Sequence, residues 1–196
     1  IPMTMGNSAA SRIAHEIGAR GPVIGVTSAC ASASQAIHLG HLLMRSGVAD
    51  VAVMGGADAI FNDSYLKAWD VLPVVSPDLC RPFSRDRQGL VLGEGAGILV
   101  LETVERAERR AARGLGRLLG GALACDAGAL LAANPIGMTA AMKLALTDAG
   151  LSPEDVDYVN AHGTGTRSND SSEARALRTV FGDRVDRDLA ISSTKS

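Results

Sequence analysis

Aromatic residues are scarce in this chain: one Trp, two Tyr and three Phe in 196 positions. A core built from it has to be packed with Ala, Val, Leu and Ile. Its 22 glycines suit close backbone approach better than bulky filling. Cysteine is sparse as well. Cys30, Cys80 and Cys125 are scattered, odd in number and form no CxxC pair. That excludes a disulfide framework and a thiolate metal knuckle, and makes a reducing cytoplasm the default compartment. Neither sign of charge dominates: 19 Lys and Arg stand against 21 Asp and Glu, a net charge of −2. Such a balance gives no basic arm for nucleic acid and no polybasic anchor for a membrane surface. No apolar run approaches the ~18 residues a membrane span needs. The start, Ile1-Pro2-Met3, has no basic region leading into a long apolar stretch, so no secretory signal is read there. A chain running from Ile1 to Ser196 reads as an excerpt.

What is present is 46% hydrophobic residues, enough for a soluble globular core. The pattern alternates strands and helices. Helical spacing covers 8–17, and Val23-Ile24-Gly25-Val26 reads as a short strand. Ala33, Ala36, Ile37, Gly40, Leu43 and Met44 form a stripe of small residues on a helix over 31–46, stopped by Gly47. Val51-Ala52-Val53-Met54 and Ile98-Leu99-Val100-Leu101 are continuously apolar, as in strands covered on both faces. Residues 59–88 read as loop with a short helix near 63–70, and 103–113 as a charged helix. A strand is expected at 117–125 and a helix at 137–149. A strand at 157–160, a helix from Asn169 to Phe181 and a strand at 189–192 follow. This is an α/β chain built in layers.

Cys30 is the first candidate for chemistry. It follows one expected strand and opens a helix, where the positive end of the helix dipole favours a thiolate. Small neighbours, Ala29, Ala31, Ser32 and Ala33, leave room for a substrate and for backbone donors facing an oxyanion. Placement alone also fits an inert buried cysteine. His162 is the second. It sits past a strand on Gly163-Thr164-Gly165-Thr166, where two threonines offer hydroxyls to a polar ligand. A locally bonded turn histidine fits as well. Asn169, Asp170 and Glu173 open the next helix, where Asn or Asp commonly caps. Gly93-Glu94-Gly95-Ala96-Gly97 lacks the GxGxxG spacing and precedes a strand, which argues against a nucleotide cradle. His38 and His41 have no spaced partner to complete a metal site, and Cys80 and Cys125 have no activating neighbour.

Five motifs in order resemble the β-ketoacyl synthases, the condensing enzymes of fatty-acid and polyketide assembly. They are Val26 to Ala33 around Cys30; Val53-Met54-Gly55-Gly56-Ala57-Asp58; Arg81-Pro82-Phe83 through Gly97; Asn160 to Thr166 with Asn169, Asp170 and Glu173; and Ser193-Thr194-Lys195-Ser196. The resemblance runs over essentially the whole chain, and the Ala-Cys-Ala-Ser-Ala context is similar to the discrete elongating type. Departures are Ser84 where Asp is common, Leu90 where Phe is common, and Arg167 in a variable slot.

The resemblance implies a thiolase-type layered αβαβα sandwich, present here as an incomplete central portion. Residues 1–116 would belong to the half carrying the nucleophile, and 117–196 to the half carrying His and Lys. It implies Cys30, His162 and Lys195 as catalytic residues, with Asp170 and Glu173 in support, Glu173 tying the lysine to nearby backbone. Thr164 and Thr166 would bind the phosphopantetheine arm of an acyl carrier protein that delivers acyl and malonyl groups. No metal or cofactor is implied; a homodimer in the cytoplasm is. The family's second histidine follows the lysine motif, outside this sequence, so the chain by itself is expected to condense poorly. Two other classes remain: a synthase-like partner subunit that binds carrier protein without catalysis, and a Cys-dependent thioesterase or hydrolase.

Overall fold

A computed structural model describes residues 5–129 and 132–196. Its contacts divide the chain into two units. One comprises residues 1–59 and 95–118, the other 60–94 and 119–196. The segment 60–94 therefore clusters with the C-terminal stretch.

The first unit holds helices α1 (Ser8–Ile17) and α2 (Ser32–Arg45), strand β1 (Val51–Asp58), strand β2 (Gly95–Glu102) and helix α4 (Val104–Arg109). β1 and β2 pair antiparallel, from Val51 opposite Glu102 to Asp58 opposite Gly95. α2 lies on β1, and the stripe of small residues explains how closely. Gly40 is buried directly over the Met54 side chain, with no room for a Cβ, and Ala33 lies over Gly56. A larger side chain at position 40 would have to displace the Met54 thioether.

Three expectations change here. Residues 23–26 and 117–125 form no strand. Both are apolar enough, but a strand needs a neighbour for its ladder bonds, and none lies beside them among the described residues. The apolar runs of β1 and β2 do form strands, yet they are not covered on both faces. Val53, Ile98 and Leu99 are exposed, and Val100 is 68% exposed. A continuous apolar run reports what a strand can bury, not which layer covers it. α2 packs on β1 with Gly40 its one buried residue.

The second unit holds α3 (Asp63–Asp70), α5 (Pro135–Ala149), β3 (Tyr158–Asn160), α6 (Arg167–Phe181), α7 (Arg184–Arg187) and β4 (Ala190–Ser192). Helix starts are capped as their sequences suggest. The Asn62 side chain accepts the Tyr65 amide, and Asn134, followed by Pro135, accepts that of Ile136. β3 and β4 run parallel. Over them lies the buried core of Leu177, Val180, Phe181 and Leu189, filled out by Met142 and Leu146 of α5 with Val159 and Ile191 of the strands. α6 begins at Arg167, two residues earlier than the Asn169 start read from the sequence, with Thr166 in the capping position. The loop 74–90 is knit by a bridge between Val75 and Leu90, with the Ser76 amide donating to the Leu90 carbonyl and the Leu90 amide to that of Val74.

Among the described residues no helix is long and apolar enough to cross a membrane.

Candidate active site

In the first unit, Cys30 sits in a single 3-10 turn, Ala29–Ala31, that runs straight into α2. Its side chain is exposed. The turn is built by the residues around it. The Ser28 amide donates to Ser32 Oγ at 2.7 Å, Ser32 Oγ donates to the Ala29 carbonyl at 2.7 Å, and Gln35 Nε2 donates to Ser28 Oγ at 2.8 Å. Ala29 adopts φ +47°, a left-handed conformation that costs a non-glycine residue about 1–3 kcal/mol and persists only where its surroundings hold it. The strained residue therefore stands next to the thiol. Cys80 is buried and Cys125 exposed, so exposure alone does not single out Cys30.

The second unit assembles the other sequence-derived candidates around one turn. β3 delivers His162, and the first two turns of α6 deliver Asp170 and Glu173. Glu173 receives two consecutive backbone amides, His162 N–H on Oε1 at 2.7 Å and Gly163 N–H on Oε2 at 2.8 Å, and Asn169 Nδ2 donates to Oε2 at 3.2 Å. Lys195 follows β4 and comes back over the same turn. Its Nζ donates to the His162 carbonyl at 2.5 Å and lies 3.5 Å from His162 Nδ1. The link between lysine and turn thus runs through His162 itself. Ser193 Oγ donates to the Gly163 carbonyl at 2.9 Å and receives the Lys195 amide at 3.3 Å. Burial, and then the Lys195 charge, push the His162 pKa below its ordinary 6.5; Glu173 and Asp170 oppose this more weakly. With Lys195 Nζ on the Nδ1 side, the tautomer that accepts there carries its ring proton on Nε2.

Asp170 is 1% exposed. Its carboxylate accepts the Phe83 amide at 2.8 Å and Asn169 Nδ2 at 3.2 Å, with Arg87 Nε 3.6 Å away as counter-charge. Thr164 is buried, and its hydroxyl pairs with that of Thr166 at 2.8 Å. Thr166 faces a cavity of about 660 Å³ that is also lined by Pro73, Val74, Gln88, Arg167 and Asn169. His38 and His41 lie half-buried along α2, and no metal-holding cluster of His, Cys, Asp and Glu occurs among the described residues.

Sequence reasoning treated Cys80 as structural and gave Arg87 no role, yet both touch this turn, as does Phe83. Their signal lay in the Arg81-Pro82-Phe83 motif, which sequence matching detects but cannot assign to a neighbour.

Two family descriptions match end to end: the N-terminal domain of β-ketoacyl synthases over residues 1–107 and the C-terminal domain over 115–196. The chain belongs to the β-ketoacyl synthase family. Nodulation protein E of Rhizobium sp. (strain N33) is 50% identical across all of this chain and 48% of its own length. The 3-oxoacyl-[acyl-carrier-protein] synthase 2 of Synechocystis sp. is 41% identical across all of this chain and 49% of its own. Among solved structures, a type II PKS ketosynthase, bound to the hexaketide and in complex with its acyl-carrier protein, aligns at TM-score 0.93 and 31% identity. It covers 96% of this chain and 48% of that one. The chain spans about half the length of the curated relatives it matches. Its fold is accordingly the α/β thiolase-type sandwich of ketosynthases, of which it holds a part.

Proposed function

We propose that this chain carries the nucleophile and the first histidine of a 3-oxoacyl-[acyl-carrier-protein] synthase. The observation that carries the reading is the placement of Lys195 Nζ on the Nδ1 side of His162, an arrangement in which Nε2–H would donate to a developing oxyanion. Cys30 Sγ attacks the thioester carbonyl of an acyl carrier protein, the carrier's phosphopantetheine thiol leaves, and the acyl group stays on Cys30. A malonyl thioester then loses carbon dioxide. The electron pair released forms an enolate, whose oxygen accepts the hydrogen bond from His162. The enolate carbon attacks the acyl-Cys30 carbonyl, the Cys30 thiolate leaves, and a 3-oxoacyl thioester remains on the carrier. Asp170 and Glu173 hold the turn that carries His162, and the paired Thr164 and Thr166 hydroxyls suit the amides of the phosphopantetheine arm.

The proposed partner is an acyl carrier protein, the setting is the fatty-acid or polyketide type of assembly in the cytoplasm, and the assembly is a homodimer. The presence of Cys30 disfavours a non-catalytic partner subunit. The test supplies acyl- and malonyl-loaded carrier protein to the full-length protein that carries this chain and reads products by mass spectrometry. An acyl adduct on Cys30 with a 3-oxoacyl thioester supports condensation. Free acid alone means a hydrolase, and binding with neither product means a partner subunit.

A further inference from the structure

The geometry points to Cys80 and Arg87 as positioning residues for the Gly-Thr loop, setting the Thr164 and Thr166 pair from a segment distant in sequence. The inference rests on the assignment of that pair to the substrate arm. Thr164 and Thr166 flank Gly165, and each carbonyl accepts from one of the two side chains, that of Thr166 also from the Asp170 amide at 3.2 Å. Cys80 Sγ–H donates to the Thr164 carbonyl at 3.3 Å, and Arg87 Nε to the Thr166 carbonyl at 3.4 Å. The Arg87 fork also reaches the Arg167 carbonyl at 3.4 Å and Ser171 Oγ at 3.1 Å, while its Nη1 is anchored on the Ser84 carbonyl at 2.8 Å.

The same segment closes the space beneath the loop. A Cβ at Gly165, where φ is +73°, would lie 2.6 Å from the Gly89 carbonyl oxygen and 3.2 Å from Cys80 Sγ. The loop therefore has one way to lie on the 80–89 segment. That arrangement pairs the two threonine hydroxyls and turns Thr166 to the cavity. Cys80 is 8% exposed, so its thiol acts through this contact and not as a surface nucleophile. Arg87 has a second duty as counter-charge to Asp170, which makes Cys80 the cleaner handle.

Three variants of the full-length protein that carries this chain test this. Cys80→Val removes the donor and keeps an apolar side chain at this place; Cys80→Ser restores a donor. Arg87→Lys keeps a charge near Asp170 and removes the fork. Hydrogen exchange is read on a peptide spanning 161–168 and, as an internal control, on one spanning 174–181. Loop exchange should rise about fivefold in Cys80→Val and in Arg87→Lys, with the control unchanged and Cys80→Ser restoring the original rate, the scale of one lost hydrogen bond. In steady-state kinetics, KM for carrier-protein acyl thioesters should rise about fivefold in Cys80→Val, on the same scale, with kcat little changed. A short thioester lacking the phosphopantetheine arm should show no change in KM. Unchanged loop exchange in Cys80→Val, a Cys80→Ser as fast as Cys80→Val, or an equal rise in KM for the short thioester overturns the proposal. If the unsubstituted protein makes no 3-oxoacyl product, the condensing reading fails, and the exchange data alone decide the positioning role.

Discussion

The surroundings of Cys30 and of His162 are built on different principles. Cys30 is exposed on one 3-10 turn, and its place is set by local bonds among Ser28, Ala29, Ser32 and Gln35, all within seven positions of one another. His162 is held by groups from three stretches of chain. Glu173 grips its amide, Lys195 its carbonyl, Ser193 the next carbonyl, and the loop after Cys80 lies beneath the glycines that follow. The contrast fits the two proposed tasks. A nucleophile has to be reached by an acyl thioester on a bulky carrier, so it stands at a helix start with small neighbours. A hydrogen-bond donor to an enolate is effective only in a fixed direction, so it is half-buried and braced from several sides.

The sharpest way to break this contrast is to remove each group. Cys30→Ala should abolish acyl-enzyme and lower condensation by on the order of 10⁴-fold or more, while leaving thermal stability nearly unchanged. A large loss of stability would show that the nucleophile turn is a packed element after all. His162→Ala should cost about 10²–10³ in kcat, the usual effect of one lost oxyanion donor, with Cys30 still acylated. Failure of acylation in that variant would move His162 from the decarboxylation step to activation of the thiol.

Asp170→Ala tests the bracing. It strands the Phe83 amide and leaves Arg87 without its buried partner, so unfolding in denaturant should show a loss of about 3 kcal/mol. A neutral outcome would mean that the network orients the turn without stabilising it. Removing an exposed pair in the first unit, such as Arg12 with Glu16, should cost under about 1 kcal/mol. Cysteine labelling then separates exposure from activation. A limiting dose of iodoacetamide on folded protein should modify Cys30 before Cys125, though both are exposed, and Cys80 last. Cys125 labelled first would remove the special status of the helix start.

The smallest effect is pH dependence. His162 has its folded pKa below the ordinary 6.5, so the unfolded chain binds the proton more readily. Its contribution to stability is complete above pH 6.5 and is lost as pH falls through the lower folded value. Stability measured from pH 8 to pH 5 should therefore decline less steeply in His162→Gln than in the unsubstituted chain. Equal slopes would mean that the imidazole titrates as it does in water.

Much of the helical content was legible because it is local. The small-residue stripe of α2 anticipated its tight seat on β1, where Gly40 meets Met54. Asn169, Asp170 and Glu173 were legible as the opening of a helix, although the capping position falls on Thr166 and not on Asn or Asp. The strand at 23–26 was overread, because an apolar tetrapeptide has the composition of a strand whether or not a ladder partner lies beside it. Cys80 and Arg87 were illegible in the opposite sense. Their contacts with Thr164 and Thr166 bridge 84 and 79 positions, and no periodicity carries information across such a distance.

The sequence by itself determined the alternation of helices and strands, the motif residues and the family, since these depend on local spacing and on residue identity. Only the tertiary structure decided that Glu173 grips two successive amides, that burial and then Lys195 at Nδ1 lower the His162 pKa, and that the Gly-Thr loop rests on the 80–89 segment. Hydrogen-bond direction and burial arise when segments far apart in the chain meet, and neither is encoded in any one of them.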